Sequence, residues 1–181
     1  MKIFKYFLLT AALVFFVSCS KDDDNPGTDS SMVLGEWNLE EFSYSGSTTA
    51  TQGDQTVSST YTGEAYDLDA RVIFNSATNY STEGSYTIKL TTTVNGQTMV
   101  QDYPYSDISG SGTYRVEGNK LITTSNAPPD PGLVDPMATA EGTIMELTAN
   151  RMVLFAEQVV NSTMQGAEVE IRNETLQVFS R

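Results

Sequence analysis

The chain contains no histidine and a single cysteine, Cys19. Those absences exclude a Ser-His-Asp triad, a Cys-His nucleophile pair and a Cys/His zinc site. Any general base is then a carboxylate, a lysine or a tyrosine. Positive charge is also scarce. Ten Lys and Arg stand against 23 Asp and Glu, a net charge of −13. Such a surface repels phosphate backbones and anionic headgroups, which argues against nucleic acid as a partner. Tryptophan occurs once, at Trp37, and four of the six prolines crowd between positions 128 and 136. What is present is enough for a core: 39% hydrophobic residues, with eight Phe and nine Tyr. The length of 181 residues suggests one domain.

Residues 1–18 read as a leader. Lys2 and Lys5 form a basic start, and an apolar stretch of about 12 residues runs from Tyr6 to Val17. A membrane-spanning helix needs about 20. The sequence Phe16-Val17-Ser18-Cys19 resembles a bacterial lipobox, with a small residue directly before the cysteine. The resemblance implies that Cys19 is lipidated and becomes the new N-terminus. Loss of the leader removes two lysines and leaves eight basic against 23 acidic residues, a net −15. The segment that follows, Ser20-Lys21-Asp22-Asp23-Asp24, resembles the lipoprotein export signal of the Bacteroidetes, a short acidic run beside the lipidated cysteine. It implies that Lys21, Asp22, Asp23 and Asp24 address the protein to the outer face of the outer membrane. These aspartates lack the alternating ligands and distal Glu of an EF-hand loop. Residues 19–33 are therefore expected to be a flexible acidic tether rich in turn formers.

Beyond Ser31 no window shows a convincing helical period of ten residues. Alternating apolar and polar residues in short runs, bounded by turn formers, predict strands instead. Asn95-Gly96 and Gly118-Asn119 each separate two such runs, which is the signature of a two-residue hairpin. Thr148–Arg151 is another tight connection. Further strands are expected at Trp37–Tyr44, around Val57–Tyr61 and at Ala70–Phe74. Near the end, Val169 and Ile171 alternate in one parity and Leu176 and Val178 in the other, which predicts a bulge or turn near Asn173-Glu174. Ser43–Gly63 holds 11 Ser and Thr in 21 residues and is expected to be a long polar excursion between the first two strands. About eight to ten strands of roughly 5–10 residues, joined by short links, predict a single up-and-down antiparallel barrel over residues 34–181.

The order of short motifs carries a resemblance. Gly35-Glu36-Trp37 opens the first strand; Ala70–Asn75, Asn79–Ser81, Gly84–Tyr86 and Gly112–Leu121 follow. This series resembles the lipocalin-like domains carried by many Bacteroidetes lipoproteins. It implies that Trp37, introduced by Gly35, plugs one end of the barrel and that an arginine from a late strand, here Arg181, covers it. The residues alone are equally compatible with a core tryptophan that has no cationic partner.

Enzymatic readings are poor. Glu40 and Glu41 are expected on opposite faces of a strand; Asp67 and Asp69 on one face form at most a carboxylate pair. No metal site and no cofactor is expected. Two loops are candidates for a ligand mouth: Gln101–Asp107 with Tyr103 and Tyr105, and the proline-rich Ser125–Pro136 with Leu133 and Val134 at its tip. The reading that results is a lipid-anchored protein of the outer membrane that binds a small apolar or amphipathic ligand in the barrel. The alternative is an accessory subunit of a surface complex whose barrel is filled by its own side chains. An open cavity of roughly 300 Å3 favours the first, a filled interior the second.

Overall fold

Period-two patterning extends through nearly the whole domain. The computed structural model describes residues 30–126, 140–164 and 166–181. A 3-10 turn at Ser30–Val33 leads into β1 (Gly35–Gln52), β2 (Gln55–Phe74), β3 (Asn79–Val94), β4 (Gln97–Glu117), β5 (Lys120–Ser125), β6 (Ala140–Leu147), β7 (Arg151–Met164) and β8 (Ala167–Ser180). Each strand pairs antiparallel with the next, and β8 pairs back onto β1, so the sheet closes into an eight-stranded up-and-down barrel. The leader, Cys19, the Lys21–Asp24 run, Leu133 and Val134 lie outside the described residues.

The strands are longer than the sequence pattern predicts. β2 has 20 residues and β4 has 21, because runs that look like separate strands are single ones carrying a bulge. In β2, Tyr61 and Ala65 share one parity while Ala70, Val72 and Phe74 share the other. The register slips by one between Tyr66 and Asp69, where Asp67 takes a φ of 51°. That bulge returns both sets to the inner face. Ser106-Asp107 does the same for β4, where Tyr86 pairs with Tyr105 but Gly84 with Ile108. The expected polar excursion at Ser43–Gly63 is instead the far half of β1 and β2, paired from Ser43/Glu64 to Gln52/Gln55 around Gly53-Asp54.

The bulge expected at Asn173-Glu174 is not there. β8 pairs without a break through these residues with both β1 and β7. Leu176 and Val178 keep the outward parity and lie opposite the outward Phe155 and Val153 of β7, so an apolar strip sits on the outer wall. The irregularity belongs to β1, between Leu39 and Glu41. Glu40 is the extra residue there and accepts a hydrogen bond from Ser180 Oγ, so Glu40 and Glu41 do not take the opposite faces expected of them.

The core sits at one end. Trp37, Val33, Phe74, Tyr114, Leu121, Ile144, Met152, Leu154 and Phe179 form one buried cluster. Its walls include β5 and β6, which have only six and eight residues. Beyond them, among the described residues, β4 from Gln97 to Gly110 and β7 from Ala156 onward have a strand partner on one side only. Among the described residues the barrel is thus closed and filled below, and open above.

Candidate functional site

Trp37 closes the filled end. It is fully buried, and its indole N–H donates to Val33 O at 2.8 Å. The Arg181 guanidinium stacks over the ring, with Cζ 4.1 Å from the centroid. The same guanidinium donates to Met32 O at 2.8 Å, to Leu34 O, and to Ala149 O at 3.3 Å. One side chain therefore ties the N-terminal 3-10 turn, the β6–β7 turn and the tryptophan together. Gly35 lies beneath it with a φ of 114°, a backbone conformation that residues with a side chain rarely adopt.

The open half is lined differently. Following the register inward from Trp37 and past the β1 bulge brings Phe42, Tyr44 and Gly46 to the inner face. Tyr61 arrives from β2, Tyr86 and Ile88 from β3, Tyr103 and Tyr105 from β4. The rings form a continuous chain of contacts. Tyr61 to Tyr44 is 6.1 Å, Tyr44 to Phe42 5.9 Å, Phe42 to Tyr86 5.7 Å and Tyr86 to Tyr105 5.3 Å between centroids. Spacings of 4.5–7 Å are those of favourable aromatic pairs. Tyr44 lies directly opposite Gly63, and Tyr61 opposite Gly46. Each ring lies across the glycine facing it; a Cβ on Gly46 would come 2.5 Å from the Tyr61 ring.

Burial, with neighbouring phenols as a lesser cause, raises the pKa values of Tyr44 and Tyr86 above the usual tyrosine value; burial alone raises that of Tyr61. The phenols are therefore neutral donors and acceptors at physiological pH. Tyr103 and Tyr105 are not on a loop, as the sequence suggests, but inside β4. They face inward and remain 38% and 46% exposed. Pro104 between them pairs only with Thr87 of β3, on a stretch of β4 that has no second strand partner among the described residues, where a missing N–H is tolerated.

Two clefts cross the wall. One of about 630 Å3 lies where β1 and β2 lose their pairing between Asn38/Arg71 and Ser43/Glu64. Leu39, Leu68, Ala70 and Gly84 line it together with Glu40, Asp69, Arg71 and Glu83. On this face Arg71 donates to Glu83 at 2.6 Å and to Glu36 at 2.7 Å. The second, of about 420 Å3, runs over β2, β1, β8 and β7; seven of its ten lining residues, Glu157, Arg172 and Glu174 among them, have outward parity, and Gly46, Tyr61 and Asn173 have inward parity. Among the described residues no group of three or more Asp, Glu, His or Cys is placed to hold a metal ion.

The residues that the sequence reading missed are Phe42, Tyr44, Tyr61, Tyr86 and Asn173. The one available signal was a tyrosine set opposite a glycine across a hairpin.

Closed meander, Gly-x-Trp at the plugged end and a capping arginine are now in place. The lipocalin-like domain profile matches residues 33–154, from the turn before β1 into β7. The chain belongs to the lipocalin-like domain family. The lipocalin-like barrel is completed by the remainder of β7 and by β8, which lie past the matched span. No curated protein matches the chain. Among solved structures it is similar to Ail, the attachment invasion locus protein of Yersinia pestis, at 9% identity over 81% of this chain and 98% of that one. The TM-score is 0.24, so this likeness carries no argument.

Proposed function

We propose that the protein is a lipid-anchored binding protein that holds a small apolar or amphipathic molecule in the open half of its barrel. The observation that carries this reading is the inward chain of Tyr61, Tyr44, Phe42, Tyr86 and Tyr105. Its aromatic faces bury apolar surface while its hydroxyls orient a polar group. An accessory subunit with a self-filled barrel would need no half-exposed rings on inward positions. The lower half is packed in that way; the upper half is not. Binding here involves no chemical step, and the protein is no enzyme.

Lipidation at Cys19 is the anchor in this reading, and Asp22–Asp24 carry the export address to the outside of a Bacteroidetes-type outer membrane. Two or three acyl chains give stable attachment where one gives only marginal attachment. Ser30–Val33 enters the barrel at its plugged end, beside Trp37 and remote from the open half.

Native mass spectrometry of the protein purified from its own host tests both parts at once. The expected species carries a covalent lipid on Cys19 and releases a small molecule on activation. Cys19→Ser lacks the lipid mass and leaves the membrane fraction. A species with bare polypeptide mass and no released molecule overturns the reading. Replacing Asp22, Asp23 and Asp24 by Ala is expected to keep the lipid yet slow protease shaving of intact cells.

A further inference from the structure

We infer that the open half of the barrel selects an uncharged ligand and rejects an anion of the same shape. This rests on the cup reading above and narrows its ligand class. The strand register is the basis. Alternate residues of the lining strands face the lumen, and the Asp, Glu, Lys and Arg of these strands fall on the other parity. Lys89 faces Asp102 across β3 and β4, and Glu157 faces Glu174 across β7 and β8, all on outward positions. The acids inside bulges, Glu40, Asp67 and Asp107, are exposed to solvent. What faces inward is phenol, amide, hydroxyl or hydrocarbon.

An anion entering this space would lose hydration and find no inward-facing cation to replace it; Arg172, which lines the cleft at Asn173, is on the outward parity and is paired with Glu170. The surrounding outer wall is acidic and adds to the repulsion. A second observation gives the preference a direction. Asn173, on an inward position opposite Gly46, donates through Nδ2 to Thr175 Oγ1 at 3.3 Å, and its Oδ1 is buried without a partner. An orphan acceptor favours a ligand that donates an N–H or O–H and disfavours a carboxylate or sulfonate. Burial of Tyr44 and Tyr86 keeps their phenols neutral, so the lining also presents no anion of its own near pH 7.

Two dyes with one skeleton provide the test. N-phenyl-1-naphthylamine is neutral with one N–H; 8-anilino-1-naphthalenesulfonate adds only the sulfonate. Fluorescence titration of the folded protein is expected to show the neutral dye binding at least about ten-fold tighter, a free-energy gap of about 1.4 kcal/mol. The gap should persist in 1 M salt, where screening over about 3 Å removes the long-range effect of net charge. Two substitutions separate lumen from surface. Gln158 faces inward opposite Asn173 and is exposed enough to accept a longer side chain. Gln158→Lys should tighten sulfonate-dye binding several-fold. Asp102→Lys, on an exposed outward position opposite Lys89 and outside both clefts, changes net charge by twice as much and should leave that binding in 1 M salt unchanged. Circular dichroism confirms that both variants are folded. Equal affinity for the two dyes in the wild type, or equal rescue by the two lysines, overturns the inference while leaving the cup reading intact. Failure of both dyes to bind overturns the two together.

Discussion

The two halves of the barrel use the same strands for opposite ends. Below the bulges, Trp37, Met152 and Val33 are wholly buried and every strand has two neighbours. Above them, tyrosines on the corresponding inward positions stay half exposed, and β4 and β7 each have one strand partner among the described residues. The difference shows where stability is stored. Packing, the indole plug and the guanidinium clasp are concentrated at one end. The other end is left with few obligations to the fold, which is the condition under which a surface can be shaped for binding.

The sharpest way to break this contrast is to empty the plug. Trp37→Ala should cost about 3–5 kcal/mol, as for large aromatics removed from cores. That is a large part of the roughly 5–15 kcal/mol typical of a domain. Urea unfolding followed by far-ultraviolet circular dichroism measures it. A loss below about 1 kcal/mol would show that the closed end does not dominate stability.

Removing the clasp comes next. Arg181→Ala gives up the cation–π contact and the donors to three backbone carbonyls, at a cost of about 1–2 kcal/mol for this solvent-exposed side chain. The emission of the single tryptophan should move to the red as one face of the ring is uncovered. Arg181→Lys should recover part of the stability but not the stacked geometry.

The open half is interrogated by alkaline pH. The folded-state pKa values of Tyr44, Tyr61 and Tyr86 lie above the unfolded value. The neutral form is thus favoured by folding, so the stability linked to it is complete below about pH 10 and is lost as pH rises through the folded values. Urea midpoints should therefore fall above about pH 10. Tyr86→Phe removes one titrating group and should make that fall shallower, with little effect at neutral pH. An unchanged alkaline slope would mean that the phenols of the cup are not coupled to folding.

The smallest effect belongs to the outer wall. Arg71→Ala breaks the exposed pairs with Glu36 and Glu83 and should lower the urea midpoint only slightly, a difference that disappears in high salt.

Much of the frame was legible in the chain. Asn95-Gly96 and Gly118-Asn119 mark two of the hairpins, and Trp37 with Gly35 marks the plugged end. The bulges were not legible, because a parity switch looks the same whether the chain bends or an apolar pair is shown outward. In β2 the switch is a bulge at Asp67-Leu68; in β8 it is an outward Leu176 and Val178 covered from β7. The cup was hidden for a related reason. Tyr103 and Tyr105 flank a proline and lie near Asp102 and Asp107, and composition of that kind suggests a loop. Only the three-dimensional register shows that β4 passes there with one strand neighbour among the described residues and can accommodate Pro104.

The clasp also has a consequence for how the chain comes to be folded. Trp37 is among the first residues of the domain, while the side that covers it is supplied by Phe179 and Arg181. Hairpins such as β3–β4 involve neighbours in sequence and can form as the chain emerges. The β1–β8 seam joins residues about 120–140 positions apart, the kind of contact that slows folding most. Until that seam closes, the indole is a hydrophobic surface without a cover, and β1 is an open edge. Capture of the last strand is thus the step that turns a sticky meander into a sealed barrel. The interval before it is when this protein would most need protection from its own kind.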